Sequence, residues 1–179
     1  MSELTVGNYA TEADACKAFD QFVEQVPHLF GDYAEVEGYY LNRRVGVALS
    51  EPRIDRILIP KGPVVEAGWT HGPIGVEIKK SGIKAGRAVS QSLDYLNAAF
   101  RIEAGFRPRL ILESCFIFPL DSTSGMAGSI MAQHRVGCAH FNHRGSLVFT
   151  VGGMRAIEVY SSGNVFAREL PMGRKAGSR

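Results

Sequence analysis

Two short runs, Arg53-Ile54-Asp55-Arg56-Ile57-Leu58-Ile59 and Ile74-Gly75-Val76-Glu77-Ile78-Lys79-Lys80, constrain this chain more than any other part of it. In the second, Ile74, Val76 and Ile78 take every other position and Glu77 and Lys79 fill the gaps, the period of a strand with one apolar face. In the first, Ile54 alternates with Asp55 and Arg56 with Ile57, and Pro60 stops the run because proline brings no donor to a ladder. Residues 61–73, rich in Gly and Pro, read as the loop between them. The two strands are therefore expected to be neighbours, each carrying an acid.

The remaining segments supply the layers around that hairpin. Thr11 followed by Asp14 is a capping signal, and Ala15, Phe19, Phe22, Val23 and Val26 then fall at helical spacing, which predicts a first helix over 12–26. Residues 33–49 are aromatic and β-branched, with Gly38 and Gly46 as punctuation, and predict one or two strands. A helix over 85–100 is predicted from an apolar stripe of Val89, Leu93, Leu96 and Phe100. The continuous apolar run 110–118 reads as a strand buried on both faces, and 121–133 as a short helix. Three strand-like runs, 146–151, 154–160 and 164–170, separated by Gly152-Gly153 and Ser161-Ser162-Gly163, predict an added antiparallel meander. Together these predict an α/β (α+β) chain with one domain over 1–171 and a disordered tail over 172–179.

Charge is unevenly spread. Residues 1–51 hold three Lys/Arg against nine Asp/Glu, whereas 52–179 hold seventeen against nine. A basic portion of that size suits a polyanionic partner, because cations that neutralise phosphates release condensed counterions. No apolar stretch nears the roughly 20 residues of a membrane span, and the N-terminus lacks the basic-then-apolar layout of a secretory signal, so a cytoplasmic protein without membrane contact is expected. Cys16, Cys115 and Cys138 are scattered without C-x-x-C spacing, which argues against a disulfide framework, a zinc ribbon or a four-thiolate iron–sulfur cluster, and read as reduced thiols.

The chemistry follows from the hairpin. Two carboxylates meeting at a divalent ion can neutralise a phosphodiester and activate water, and Lys79, on the same strand face as Glu77, can balance charge on the phosphate. Glu77-Ile78-Lys79 is the one acidic-x-Lys triplet of the chain. A competing reading makes it a surface ion pair on a half-exposed hairpin. Further on, Gln91 and Tyr95 stand one turn apart on the predicted helix, and Lys84 and Arg87 share their side. That row can hydrogen-bond phosphates and stack on a base or sugar, with a merely solvated helix face as its alternative.

Asp55 on a strand, then Glu77-Ile78-Lys79, then Gln91 to Tyr95, resembles in order and spacing the motifs of the PD-(D/E)XK nuclease superfamily, in its RecB-type, lambda-exonuclease-like branch with a Q-x-x-x-Y motif. The resemblance covers residues 53–95. It implies a restriction-endonuclease-like mixed sheet flanked by helices, and Mg²⁺ or Mn²⁺ on Asp55 and Glu77 with a further ligand from the Ile78 carbonyl. It also implies Lys79 at the water, and Gln91 and Tyr95 orienting substrate and supporting the site. The implied activity is a metal-dependent deoxyribonuclease, endo- or exonucleolytic, of the kind used in phage recombination, restriction or repair. Arg53, Lys80, Lys84, Arg87 and Tyr95 are the candidate nucleic-acid contacts, and a homo-oligomer is compatible with such relatives. A first-helix acid often completes the metal site; Glu24 is the candidate, Asp20 is less well placed, and Glu35 and Glu37 compete. The chain departs from the pattern in reading Arg-Ile-Asp instead of Pro-Asp and in lacking the cysteine cluster of some RecB-type relatives. The alternative of another class is a catalytically inactive nucleic-acid-binding or assembly protein on the same fold.

Other motifs carry less. His134, Cys138, His140 and His143 match no zinc-finger spacing. No G-x-x-x-x-G-K-S/T phosphate loop and no G-x-S-x-G elbow occurs, which leaves ATP-driven motors and acyl transfer without support.

Overall fold

A computed structural model describes residues 7–41, 51–69, 72–102, 110–122, 125–151 and 155–170. Helix α1 (Glu12–Val23) opens on a complete capping box. The Thr11 hydroxyl accepts from the Asp14 amide and the Asp14 carboxylate accepts from the Thr11 amide, both at 3.1 Å. Strands β1 (Phe30–Tyr40) and β2 (Arg53–Pro60) follow, then a one-turn helix α2 (Pro63–Glu66) and β3 (Ile74–Ile78). Beyond them come α3 (Ala85–Leu96), β4 (Ala98–Phe100), β5 (Leu110–Ile111), β6 (Ser114–Phe118), α4 (Gly125–Gln133) and β7 (Val136–Phe141). Strands β8 (Leu147–Val151), β9 (Arg155–Val159) and β10 (Val165–Glu169) close the described chain.

All ten strands form one sheet in the order β10-β9-β8-β7-β6-β3-β2-β1-β4-β5. β3 and β6 are parallel, as are β6 and β7; every other neighbouring pair is antiparallel. This is a mixed sheet flanked by helices, and the meander predicted over the last third is present as β8, β9 and β10, extended inward by β7.

Side-chain alternation assigns the helices to opposite faces. Ala15, Phe19, Phe22 and Val23 of α1 pack with Ile74, Val76 and Ile78 of β3 and with Phe116 and Phe118 of β6. The intervening Ile117 turns the other way and packs with Ala88 and Val89 of α3 and Met131 of α4. A third cluster joins Tyr95 to Ile54, Ile57, Phe100 and Cys115. Burial of such side chains contributes roughly 25 cal/mol per Å² of apolar surface and holds the layers together.

Several expectations need correction. The helix predicted over 85–100 ends at Leu96, where Asn97 caps it, so Phe100 belongs to β4 and packs against Tyr95 from the sheet. The apolar run 110–118 is two strands in different places: β5 pairs with β4 at the sheet edge, while β6 lies between β3 and β7. Only β6 is buried throughout; at the edge Leu110 is half-buried and Ile111 is 51% exposed, because β5 has a neighbouring strand on one side alone. The loop 61–73 contains α2, started by Pro63 at its first turn. The first helix stops at Val23, three residues before Val26, although Val26 is still buried. The predicted tail over 172–179, and the part of 33–49 beyond Leu41, lie outside the described residues. Among those described, no helix is long and apolar enough to cross a membrane.

Candidate active site

Strands β2 and β3 pair as Leu58 with Ile74, Ile57 with Gly75 and Arg56 with Val76. One step further the ladder changes character. The Ile78 amide donates to Asp55 Oδ2 at 2.6 Å, so a carboxylate stands where a backbone carbonyl would be. Glu35, the β1 residue between those paired with Arg56 and Ile54, sits at φ 48°, in the left-handed region that a side chain disfavours. The distortion of β1 and the side-chain bond from Asp55 occur at the same level of the sheet.

Arg56 fixes the backbone there. Its Nη1 donates to the Asp55 carbonyl at 2.6 Å, while Nε and Nη2 reach the two oxygens of Asp20 on α1 at 2.7 and 2.5 Å. A buried guanidinium is tolerated because this fork–fork pair and the carbonyl engage three of its nitrogens. Asp20 is thereby committed to Arg56.

Glu77 is 2% exposed, which removes the surface ion pair as an account of the triplet. Its Oε1 lies 2.5 Å from Lys79 Nζ, and its Oε2 is buried with no hydrogen-bond partner. Burial pushes the Glu77 carboxyl above the usual carboxylate range and the negative charge of Asp55 pushes it further; Lys79 opposes both, and so does the nearby Tyr95 hydroxyl, although that hydroxyl donates in good geometry to the Arg53 carbonyl instead. Asp55 is also raised, by burial first, against the lowering effect of the Ile78 amide and of Lys79. Lys79 is pulled down by burial, but the hydrogen bond and charge of Glu77 outweigh this and hold it above its ordinary value. Two carboxylates and an ammonium thus act on one another at the end of β3.

Tyr95 is buried, 6% exposed; its hydroxyl donates to the Arg53 carbonyl at 2.9 Å and its ring meets Phe100 edge-on. Burial, and then the charge of Glu77, push that hydroxyl upward. The expected stacking of Tyr95 on a base is corrected accordingly, because the ring has no free face; Tyr95 supports β2 from beneath. The polar row on α3 descends into the protein: Lys84 and Arg87 are exposed, Gln91 is half-buried with its Oε1 unpartnered, and Tyr95 is inside. Lys80 is exposed one residue past Lys79, and Arg53 is exposed and bound to Glu35 at 2.6 Å.

Glu24 lies at the C-cap of α1, lining with Cys16, Asp20, Glu35 and Asp55 a groove of about 540 Å³. Another first-helix acid reaches Lys79. Glu12 Oε1 stands 3.7 Å from Lys79 Nζ, and its charge raises both Asp55 and Lys79. The signal was available: Glu12, Cys16 and Asp20 recur every four residues beside the apolar stripe and mark the edge of α1 facing the site. Arg56 was equally missed, because nothing local distinguishes a buried arginine on a strand from an exposed one.

A divalent ion fits part of this donor set. The described residues hold no group of three or more His, Cys, Asp or Glu placed to bind a metal. Mg²⁺, however, is commonly held by one or two carboxylates and keeps several waters. The hard oxygens of Asp55 and Glu77, one of them buried and unpartnered, suit that mode. The histidine run is not brought together among the described residues: Cys138 and His140 sit in β7, and His134 and His143 are exposed beyond its two ends.

Comparison with known proteins adds nothing. No family model matches the chain, and no match was found among curated proteins or solved structures.

Proposed function

We propose that the chain is a Mg²⁺- or Mn²⁺-dependent deoxyribonuclease that hydrolyses DNA phosphodiester bonds, with Asp55, Glu77 and Lys79 as its catalytic group. The observation that carries this reading is the buried Glu77 carboxylate, with one oxygen on Lys79 and the other unpartnered, in electrostatic contact with Asp55. Burying two like charges together opposes folding, and a cation between them offsets that cost. The order of motifs over 53–95 supports the PD-(D/E)XK reading, and the mixed sheet with helices on both faces is compatible with a restriction-endonuclease-like core.

Asp55 and Glu77 would hold the ion through oxygen ligands, with the main chain of Ile78 beside them. Such an ion supplies charge neutralisation at the phosphate and acidifies water. Lys79 donates a hydrogen bond to a non-bridging phosphate oxygen and balances the negative charge that builds up as phosphorus is attacked. Gln91, with a free amide oxygen facing inward from α3, orients substrate or water, and Tyr95 keeps β2 in place. Lys80, Lys84 and Arg87 are exposed on the same stretch and are assigned to the DNA backbone.

The test compares cleavage of plasmid and linear DNA with Mg²⁺, with EDTA and with Lys79→Ala, alongside calorimetric Mn²⁺ binding. Cleavage that requires Mg²⁺ and falls at least about a hundredfold in Lys79→Ala is expected. Mn²⁺ binding without cleavage, or no binding at all, turns the assignment over to an inactive nucleic-acid-binding or assembly protein.

A further inference from the structure

The N-terminal ends of β6 and β7 border a second cavity. Ser114 there pairs with Ile74, whereas Glu77 pairs with Ile117 at the other end of β6, three residues or roughly 10 Å along the strand. The cavity measures about 260 Å³ and is walled by Trp69, Phe116 and Ile157, with Arg135, Arg155 and Glu113 as its charged groups.

Its two cations are held differently: Arg155 is half-buried and anchored by its side chain, whereas Arg135 is exposed and fixed by its backbone. Arg155 Nη2 donates to the Ala67 carbonyl at 2.5 Å and the guanidinium lies against Gly68, where a Cβ would fall 2.5 Å from Nη1. Gly68 is at φ 90°, so a residue without a side chain is needed there for both reasons. Gly137, which also lines the cavity, leaves no room for a Cβ, which would meet the Phe116 ring at 2.2 Å. Arg135 holds a left-handed backbone at φ 59° while its carbonyl accepts the Cys115 amide at 3.1 Å, an arrangement that is strained for a non-glycine residue.

The charges do not cancel one another. Among the described residues no ion pair joins Glu113 to Arg135 or to Arg155. An apolar pocket bearing two guanidinium groups and one carboxylate, mutually unpaired, is complementary to a ligand with an apolar body, a carboxylate and an ammonium. We propose that this cavity binds a small apolar α-amino acid, its side chain on Trp69 and Phe116, its carboxylate toward Arg155 and Arg135, and its ammonium toward Glu113. A plain fatty acid leaves Glu113 without a counter-charge, and a plain amine leaves both arginines without one.

Trp69 is the single tryptophan of the chain and therefore reports on the site directly. The full chain is titrated with L-leucine, with 4-methylpentanoate, which lacks the amine, and with isoamylamine, which lacks the carboxylate, while Trp69 fluorescence is followed. A saturable change with leucine is expected, with both analogues at least about tenfold weaker. Arg135→Asn, which tolerates the left-handed backbone, should weaken leucine binding about tenfold, and Glu113→Gln should bring leucine and 4-methylpentanoate to equal affinity. Circular dichroism establishes that both variants fold. An absence of saturable change, analogues that bind as well as leucine, or undiminished binding in both variants overturns the proposal.

Discussion

Asp55 Oδ2 accepts the Ile78 amide hydrogen at 2.6 Å, so a side chain continues the β2–β3 ladder beyond its last backbone pair, Arg56 with Val76. The bond leaves the second carboxylate oxygen of Asp55 for another partner. It also makes one residue answer for both the geometry of the hairpin and the chemistry beside it, and these two roles can be separated.

Asp55→Asn keeps an oxygen that can accept from Ile78 and removes a charge whose burial is the main reason its carboxyl is raised. At neutral pH and without metal the variant should be at least as stable as the parent, while DNA cleavage drops by about a hundredfold or more. Thermal unfolding followed by circular dichroism checks the first half. A melting temperature lower by more than about 4 °C would assign the carboxylate to structure alone.

The pH dependence has a definite sign. Asp55 and Glu77 have folded-state values above those of the unfolded chain, so as pH rises the unfolded state loses these protons first. Their contribution to stability is complete below the ordinary carboxylate range, declines through the window between that range and the raised values, and stays lost above it. Urea unfolding of the metal-free protein should show stability falling across that window, and saturating Mn²⁺ should reverse the fall because the ion binds the ionised pair. Calorimetry within the window, in buffers of different ionisation enthalpy, should register proton release on Mn²⁺ binding. A flat profile in all three measurements would dissociate the two carboxylates from each other and from the metal.

Tyr95→Phe deletes the hydroxyl that the Arg53 carbonyl accepts from. The loss is expected to be about 0.5–1.5 kcal/mol, read as a fall of roughly 2–4 °C in melting temperature per kcal/mol. Because the ring is inside, DNA affinity measured by fluorescence anisotropy should be unaffected. Weaker DNA binding with unchanged stability would return Tyr95 to the substrate surface.

Two glycine substitutions should move stability in opposite directions. A Cβ on Gly75 would meet Ile54 Cδ1 at 2.5 Å and Leu112 Cδ1 at 2.6 Å, so Gly75→Ala should cost about 1–3 kcal/mol by crowding the core behind the hairpin. Gly86, in the first turn of α3, has open space around it, and Gly86→Ala should gain about 0.4–1 kcal/mol by restricting the unfolded chain. Chemical denaturation measures both. Equal and small effects would contradict the packing described for β2 and β3.

The amino-acid sequence by itself determined the local elements. Period-two alternation marked Ile74–Ile78, strand-like runs between Gly and Ser turn signals marked the three strands of the meander, and Thr11 with Asp14 marked the start of α1, because each depends on neighbours within a few residues. It also placed Glu77 and Lys79 on one strand face, which strand geometry alone requires. Only the tertiary structure decided that Glu77 is buried, that Arg56 turns inward to Asp20 and that Glu12 is the first-helix acid beside Lys79. It likewise split 110–118 between the sheet edge and the sheet centre, and it sank Tyr95 beneath Arg53. Those outcomes rest on contacts between residues far apart in the chain, and hydrophobic periodicity carries no record of which distant surface a side chain will meet.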